Sequence, residues 1–265
     1  MLNMVRADFY RMSRSTAMRV LLLITVLGAV AMMLFARQVA AGNISASISG
    51  LGILFSDVSV ISILGGVSAG IFICGDLDNK VIHDAIAGGS SRLSILTGKL
   101  TSFLCTIVVF LIPYAIAAGI GLGTAKTYSL GSANAGFMSL LAALGGKNLT
   151  SAQGAQVFGL MLLLLLVYAA ELSLCVPLAL AVKKPVAVAA IYYAFSILCG
   201  QLIPLAQSSQ TLDRVIACTP YSGRYLLPSL NMGTSTVIKA IMACVAFITV
   251  MLGIAYAIFR RADIK

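Results

Sequence analysis

Six long apolar runs, separated by shorter polar stretches, dominate the pattern of the chain. Each run is close to the length that an α-helix needs to cross the roughly 30 Å hydrocarbon core of a bilayer. No repeat and no segment able to form a soluble core interrupts them, so we expect an all-α integral membrane protein with one transmembrane domain over residues 1–265. The predicted spans are residues 20–36, 55–74, 100–122, 157–182, 186–205 and 236–259.

Residues 1–19 precede the first span and follow a different pattern. Leu2, Val5, Phe9 and Met12 share one face of a helical wheel, and arginines occupy the opposite side. This pattern predicts an interfacial amphipathic helix that lies in the plane of the membrane surface. The alternative is the charged region of a signal peptide, but the segment is long for that role and the next apolar run is long enough to span.

Composition supports lipid as the main solvent. The chain is 60% hydrophobic and 10% charged, whereas soluble domains are about 25% charged. A formal charge of +10 would suggest nucleic acid in a soluble protein. Here the cations lie in the breaks between apolar runs, there is no Trp, and no basic stripe alternates with stacking aromatics. We therefore expect membrane lipid, and no nucleic acid, as the partner of these charges.

The distribution of cations predicts the orientation of the chain. Positively charged residues near span ends favour the cytoplasmic side. If both termini are cytoplasmic, that side receives twelve of the 18 Lys and Arg residues: Arg6, Arg11, Arg14, Arg19, Lys80, Arg92, Lys99, Lys183, Lys184, Arg260, Arg261 and Lys265. We therefore expect a multi-pass protein with both termini in the cytoplasm.

The sequence offers no recognisable catalytic, cofactor or metal site. A P-loop needs a glycine five residues before its Gly-Lys pair, and Leu93 occupies that place before Gly98-Lys99. The six cysteines form no CxxC pair, which argues against a zinc site. The only histidine, His83, is interpreted as a solvated residue because catalysis needs several convergent groups. We expect no enzyme activity in this chain.

Glu171 is the one acid deep within a predicted span. An ionisable group at that depth is costly unless it is paired, protonated or in contact with water. One interpretation makes Glu171, with Tyr168, a gating or substrate-path residue. The other is a protonated acid that is hydrogen-bonded to Tyr168, to the backbone carbonyl of Val167 or to a neighbouring span. Asp57 and Lys239 are expected near hydrated outer ends of spans.

The second predicted span contains a pair of glycines at GxxxG spacing, Gly66 and Gly70. This spacing lets two transmembrane helices approach closely. Packing against another helix of the same chain is the favoured interpretation, and a dedicated dimer face is the alternative.

The connection between the second and third spans predicts a short amphipathic helix. Lys80, His83 and Asp84 are expected on its polar face, Asp78 is placed to cap its start, and Gly88-Gly89 to end it. Ser90 or Ser91 can cap the next helix. An exposed apolar face at this place needs lipid or a partner groove. The apolar face consists of Val81, Ile82, Ala85 and Ile86.

In combination, these features resemble the permeases of type-2 ATP-binding cassette (ABC) exporters. The resemblance rests on the surface helix 2–14 before a long span, and on a connection that begins with acids and contains Gly89-Ser-Ser-Arg92 and a later Gly98-Lys99. Cys218-Thr-Pro-Tyr221 is similar to the Pro-Tyr turn of that family's exterior re-entrant helices. The chain departs from the pattern at Asn79-Lys80, where the family commonly has Gly followed by Thr.

The resemblance implies a six-span permease that works as a dimer, with itself or a related permease, beside two cytoplasmic ATPase subunits that bind ATP and Mg²⁺. The short helix would be the cytoplasmic coupling helix, with Val81, Ile82, Ala85, Ile86 and Arg92 as its ATPase-coupling residues. The family and the composition together suggest export of an amphipathic or hydrophobic cargo across a bacterial cell membrane. Antimicrobial peptides, drugs and lipids are candidate substrates, and bacteriocin immunity is a candidate role. A secondary transporter, an intramembrane enzyme and a scaffold without transport are the alternatives.

Overall fold

A computed structural model of the chain describes residues 2–44, 54–124, 126–130, 135–147, 150–230 and 232–261. Lys265, which belongs to the cation count above, lies outside these ranges. Every regular element within them is a helix, and six helical segments are long and apolar enough to cross a membrane. These six are Thr16–Ala40, Asp57–Asp78, Arg92–Gly123, Ser151–Val182, Pro185–Ile203 and Thr234–Arg261. The prediction of an all-α membrane protein with six spans is therefore confirmed.

The helices are numbered in chain order. The long ones are α1 (Leu2–Arg14), α2 (Thr16–Ala40), α3 (Asp57–Ala69), α6 (Arg92–Gly123), α8 (Ser151–Leu172), α10 (Pro185–Ser208) and α13 (Thr234–Arg261). The shorter ones are α4 (Gly75–Asp78), α5 (Val81–Ala87), α7 (Gly136–Leu144), α9 (Cys175–Val182), α11 (Gln210–Ala217) and α12 (Gly223–Leu226). A π-helix over Gly70–Cys74 joins α3 to α4.

The fourth span is not one continuous helix. It consists of α8 and α9, which are separated by a turn at Ser173 and Leu174. Pro177 explains the break, because proline has no backbone N–H to donate to the carbonyl four residues earlier. The freed Ser173 carbonyl finds a local partner, since it accepts from the Val176 N–H at 3.1 Å.

The second and fourth spans form the centre of the bundle. In each of them 61% of the most apolar stretch is buried, against 17% in the fifth and sixth spans. Helix α3 packs most extensively on α10. A Cβ added to Gly66 would lie 2.9 Å from Ala189 Cα, and one added to Gly70 would lie 2.7 Å from Pro185 Cα. The two glycines thus allow close packing within the chain, in agreement with the favoured interpretation.

The bundle has two distinct ends. The α1 end contains α1, the connection α4–α5, the start of α6 and the end of α13. The α11 end contains α11 and α12, which follow α10. Helix α1 packs on α6 and α2, and its Met12 is 7% exposed. The amphipathic helix predicted at the N-terminus is therefore docked on the bundle.

Candidate functional site: two buried polar clusters

Helix α5 is held by turns at both of its ends. Lys80 precedes it with a left-handed φ of 58° and no side-chain cap, so the expectation that Asp78 caps this helix is wrong. At the other end Gly89 has a φ of 83°. The Ser90 N–H donates to the Ala85 carbonyl at 3.1 Å and the Gly89 N–H to the Ile86 carbonyl at 3.0 Å. This is a Schellman motif, so the predicted glycine stop is confirmed.

The apolar face of α5 is turned mainly toward the protein. Ile82 is only 2% exposed, and Ala85 and Ile86 are partly buried against the core. The expectation of an exposed apolar face is therefore wrong for Ile82, because α4 and α6 pack against the helix and cover that side. Val81 is partly buried. The exposed residues between positions 78 and 93 are Asp78, Asn79, Lys80, Asp84 and Ala87, together with residues 88–91 and Leu93.

Arg92 connects this region to the last span. Its Nη1 donates to the Arg260 carbonyl at 3.0 Å and to the Phe259 carbonyl at 3.4 Å. These carbonyls belong to the final turn of α13, where a helix carries partial negative charge and a cation is stabilising. Ser91 begins α6 by accepting a hydrogen bond from the Ser94 N–H at 3.2 Å, which confirms the predicted cap.

Four charged residues form the first buried cluster, at the α1 end. We call Asp8, Arg11, Asp76 and Lys99 the ion cluster. Lys99 Nζ lies 2.7 Å from Asp8 Oδ1 and 2.5 Å from Asp76 Oδ2, and Arg11 Nη2 lies 2.5 Å from Asp76 Oδ1. The side chains of Asp8, Asp76 and Lys99 are between 3% and 7% exposed, whereas that of Arg11 is 43% exposed. The cluster therefore joins α1, α4 and α6 through charges that water barely reaches.

An aromatic ring completes the surroundings of the two cations. Lys99 Nζ lies 4.6 Å from the ring centroid of Phe72, and Arg11 Cζ lies 5.7 Å from it. Phe72 belongs to the π-helix. Such elements are rare in proteins as a whole, but where they occur they are often at functional sites. Burial by itself lowers the pKa of the Arg11 guanidinium, but the hydrogen bond and the charge of Asp76 outweigh it, so that the pKa is raised overall.

The second buried cluster lies inside the bundle and contains two acids. We call Asp57, Tyr168 and Glu171 the acid cluster. Asp57 is fully buried, so the expectation of a hydrated span end is wrong for this residue. Its Oδ2 accepts from the Phe137 backbone N–H at 2.7 Å and from the Tyr168 hydroxyl at 2.8 Å. Asp57 thus satisfies a free N–H in the first turn of α7, where partial positive charge favours an anion.

Helix α7 brings its first turn to Asp57 through a glycine. Gly136 has a φ of 56°, which L side chains adopt at a cost. A Cβ at this position would lie 2.1 Å from both Asp57 Oδ2 and the Tyr168 hydroxyl oxygen. No other residue type can occupy this position without displacing the two hydrogen-bonded groups.

Glu171 lies one turn beyond Tyr168 on the same face of α8. It is 4% exposed, and its Oε1 has no hydrogen-bond partner in the part of the chain that the structure describes. The predicted bond from Tyr168 to Glu171 is not formed, because the Tyr168 hydroxyl donates to Asp57 instead. Lys239, in contrast, is exposed in the first turns of α13, as expected for a span end.

The turn between α11 and α12 reaches down to the same region. Tyr221, within the predicted Pro-Tyr turn, donates its hydroxyl to the backbone carbonyl of Glu171 at 2.9 Å. The rings of Phe195 and Phe247 meet the Tyr221 ring edge-on. Burial raises the pKa of the Tyr221 phenol far above its ordinary value, so this group remains a hydrogen-bond donor.

The two clusters differ in what they can do chemically. The ion cluster has two cations and two anions in direct contact, and these ion pairs hold α1, α4 and α6 together. The acid cluster offers two buried carboxyl oxygens without a hydrogen-bond partner among the described residues, Asp57 Oδ1 and Glu171 Oε1. It can therefore take up a proton or a polar group that enters the bundle. No three His, Cys, Asp or Glu side chains in the described ranges come together as metal ligands.

Comparison with protein-family models, with curated proteins and with solved structures finds no match to this chain. The geometry of the two clusters therefore carries the functional argument. The sequence singled out Glu171 and Tyr168, but it did not identify Asp57, Asp76 or Lys99 as parts of buried clusters. The sequence did contain one indication of the ion cluster, because its acids and cations come from three segments that were all expected on the same side of the membrane.

Proposed function

We propose that this chain is the permease half of an ABC-type exporter, which moves an amphipathic or hydrophobic cargo with ATP hydrolysed by a separate cytoplasmic ATPase subunit. The observation that carries the proposal is the bracing of the connection between the second and third spans. Its two ends, Asp76 and Lys99, are paired with each other at 2.5 Å. Helix α5, which lies between these two residues, is thus held at both sides, as is required of a helix that passes a movement on to the spans.

The bracing gives a mechanical route from α5 to several spans. Asp76 follows the π-helix that ends the second span, Lys99 lies within the third, and Arg92 holds the last turn of the sixth. A force on α5 would therefore move these spans together. Rigid elements of this kind transmit domain closure in two-state machines. The alternative of a freely hanging loop would dissipate such a force.

The burial of Ile82 changes the part of α5 that can meet a motor subunit. Since Ile82 faces the bundle, an ATPase would contact the exposed side at Lys80, Asp84 and Ala87, with Val81, Ala85 and Ile86 at its margin. This surface is mixed in character and suits a partner that binds and releases in each cycle, since non-obligate interfaces are about as polar as ordinary protein surface.

The acid cluster is the proposed polar contact for cargo. The wide lipid-facing surfaces of α10 and α13 suit a substrate that enters from the bilayer, and Glu171 with Tyr168 and Asp57 places carboxyl groups behind them. An amphipathic peptide with a basic group would match such a site. A role in self-protection against an antimicrobial peptide belongs to this proposal.

The buried acids also favour a second candidate, a proton-coupled secondary transporter. Carboxyl groups inside a membrane are typical of proton relays, and neither Asp57 nor Glu171 has a cation within ion-pair distance among the described side chains. An exporter should lose transport when its ATPase subunit is absent. A secondary transporter should instead stop when an ionophore collapses the proton gradient.

The proposed orientation places the α1 end in the bacterial cytosol, with both termini there. Cys218 provides a natural reporter because it is an exposed thiol at the α11 end. We expect a membrane-impermeant maleimide to label Cys218 in intact cells. A Ser90→Cys variant in a Cys218→Ser background should be labelled only after the membrane is opened. Labelling of this introduced thiol in intact cells would overturn the exporter proposal, because no cytosolic motor could reach α5.

The decisive experiment tests the ATPase partner directly. A gene with Walker motifs that neighboured the gene for this chain would encode the candidate subunit, and the two proteins would be co-expressed and purified through the permease. We expect a stable complex whose ATPase rate responds to candidate peptides in liposomes. Ala87→Trp, on the exposed side of α5, should abolish co-purification.

The control for this variant is Ala152→Trp. Ala152 is also an exposed helical alanine, but it lies in the first turn of α8, away from α5. It should leave the complex intact. If both variants retain the subunit, or if the wild-type chain never binds it, the ATPase does not use this surface and the proposal is wrong.

A further inference from the structure

A cavity of about 300 Å³ opens between α1, α2 and α6 at the α1 end. Its wall is almost entirely apolar, with Met18 and Leu22 from α2 and Val109 and Phe110 from α6. The volume lies at the lower end of the range of roughly 300–1,000 Å³ that ligand pockets occupy. Val109 is 41% exposed, so the cavity is open to the lipid-facing side of the bundle. It can hold part of a hydrocarbon chain.

The rim of the cavity is polar and cationic. Arg19 lies at the junction of α1 and α2, where its Nε donates to the Ser13 carbonyl at 3.2 Å and its Nη2 to the Arg14 carbonyl at 3.4 Å. These bonds use two of the five N–H groups of the guanidinium. Arg19 is nevertheless exposed, so it can still bind a phosphate group in a forked geometry.

The neighbouring charges favour an anion. Residues 1–19 contain Arg6, Arg11, Arg14 and Arg19 and a single acid, Asp8, whose carboxylate is bound to Lys99 and Arg11 in the ion cluster. Arg6, Arg14 and Arg19 therefore have no neutralising partner among the described side chains near the cavity. Each cation near a membrane surface strengthens the attraction of anionic lipid.

We propose that this cavity is a binding site for an anionic phospholipid of the surrounding bilayer. One acyl chain fills the space between α1, α2 and α6, and the phosphate binds Arg19 at the rim. The lipid would hold α1 against α2 and α6. It would add to the hydrogen bond that Thr106 Oγ1 donates to Met12 Sδ at 3.6 Å. This inference is independent of the exporter proposal, because it needs only that the chain lies in a membrane.

The test measures lipid binding to the purified full-length chain by native mass spectrometry. Phosphatidylglycerol and phosphatidylcholine with identical acyl chains are titrated in detergent. We expect one retained phosphatidylglycerol and weaker retention of phosphatidylcholine. Arg19→Gln should weaken phosphatidylglycerol binding by about fivefold or more, and Arg19→Lys should restore most of it. Arg14→Gln removes the same charge at the end of α1, from a residue that does not line the cavity, and should change binding by less than about twofold.

A second pair of variants tests the apolar half of the site. Val109→Phe fills the cavity without changing charge and should reduce binding of both lipids. Ile116→Phe is the matched control, because Ile116 is an exposed residue two turns further along α6 and does not line the cavity. Equal effects of Arg14→Gln and Arg19→Gln, together with no effect of Val109→Phe, would show only adventitious surface lipid and would overturn the proposal. Displacement of the bound species by millimolar inorganic phosphate would identify free phosphate, not lipid, as the ligand.

Discussion

The ion cluster and the acid cluster each join three elements of the bundle, yet they satisfy their charges by opposite means. In the ion cluster, Lys99 and Arg11 lie within 2.5–3.5 Å of Asp8 and Asp76. In the acid cluster, Asp57 accepts from a backbone N–H and from a tyrosine hydroxyl. In the ion cluster the two anions are neutralised by two cations, whereas in the acid cluster the carboxylate of Asp57 accepts hydrogen bonds from neutral donors only.

This difference suggests a structural role for the ion cluster and a functional role for the acid cluster. A closed ion pair in a water-poor place contributes little net stability, but it strongly disfavours any arrangement in which one partner is left alone. Such a joint fixes α1, α4 and α6 in one geometry. Carboxyl groups without a cation remain available to protons and to polar ligands. The ion cluster is therefore expected to respond to mutation through stability, and the acid cluster through activity.

The largest effect is expected from Lys99→Met. Removal of this ammonium leaves Asp8 and Asp76 buried with only the half-exposed Arg11 beside them. Breaking a buried pair from one side costs about 3–5 kcal/mol in unfolding free energy. Unfolding in mixed detergent micelles, followed by circular dichroism, measures the loss. Lys239→Met is the control, because Lys239 is an exposed cation in another span, and it should change stability by less than about 0.5 kcal/mol.

A double variant distinguishes charge balance from lost packing. Asp8→Asn with Lys99→Met removes one anion together with the cation and leaves the Arg11–Asp76 pair intact. The double variant should be more stable than Lys99→Met alone by about 1–2 kcal/mol. A double variant that is less stable than the single one would mean that Lys99 acts through packing on Phe72, and the comparison of the two clusters by charge would lose its basis.

The next largest effect is expected from Gly136→Ala in the acid cluster. The new Cβ would meet Asp57 Oδ2 and the Tyr168 hydroxyl, and the left-handed backbone at this residue adds its own penalty. Together these effects should cost about 2–4 kcal/mol of unfolding free energy. Gly159→Ala in α8 meets no neighbouring atom and should be neutral or slightly stabilising. Similar stability of both variants would show that α7 does not dock on Asp57 in the way described.

The sequence predicted those features that depend on local pattern. Six spans follow from the length and apolarity of single segments. The stop at Gly88-Gly89 and the cap at Ser91 follow from the conformational preferences of a few neighbouring residues.

The buried clusters could not be predicted in this way because they depend on where distant segments meet. Asp57 was placed at a hydrated span end, and it is buried because α7 folds back onto it. Lys99 was expected within the helix that Ser90 or Ser91 caps, but nothing in the local pattern showed that Asp8 and Asp76 would meet it there. Tyr168 was matched with Glu171 by helical spacing alone, whereas its hydroxyl donates to an acid on another helix.

Tyr168→Phe should have an intermediate effect. It removes the hydroxyl that donates to Asp57 and leaves that buried carboxyl with the Phe137 N–H as its described donor. Loss of one partner of a buried polar group costs about 1–3 kcal/mol, to be measured as for Gly136→Ala. Tyr193→Phe serves as the control, since Tyr193 is a partly exposed tyrosine on α10. A loss that is equal in the two variants would reflect general packing, not the hydrogen bond to Asp57.

The smallest effect on stability, and the most informative one, is expected from Glu171→Gln. Glutamine keeps the size of the side chain, and the carboxyl oxygen Oε1 has no described partner to lose. The unfolding free energy should change by less than about 1 kcal/mol. Transport should fall by about tenfold or more if the carboxyl pairs with a basic group of the cargo or carries a proton, because the amide is neither negatively charged nor titratable. The matched variant is Asp57→Asn, which retains an oxygen acceptor for Phe137 and Tyr168 but also introduces an NH₂ group without a partner. Normal transport by Glu171→Gln with a large loss of stability would assign the acid cluster to structure, and the contrast with the ion cluster would disappear.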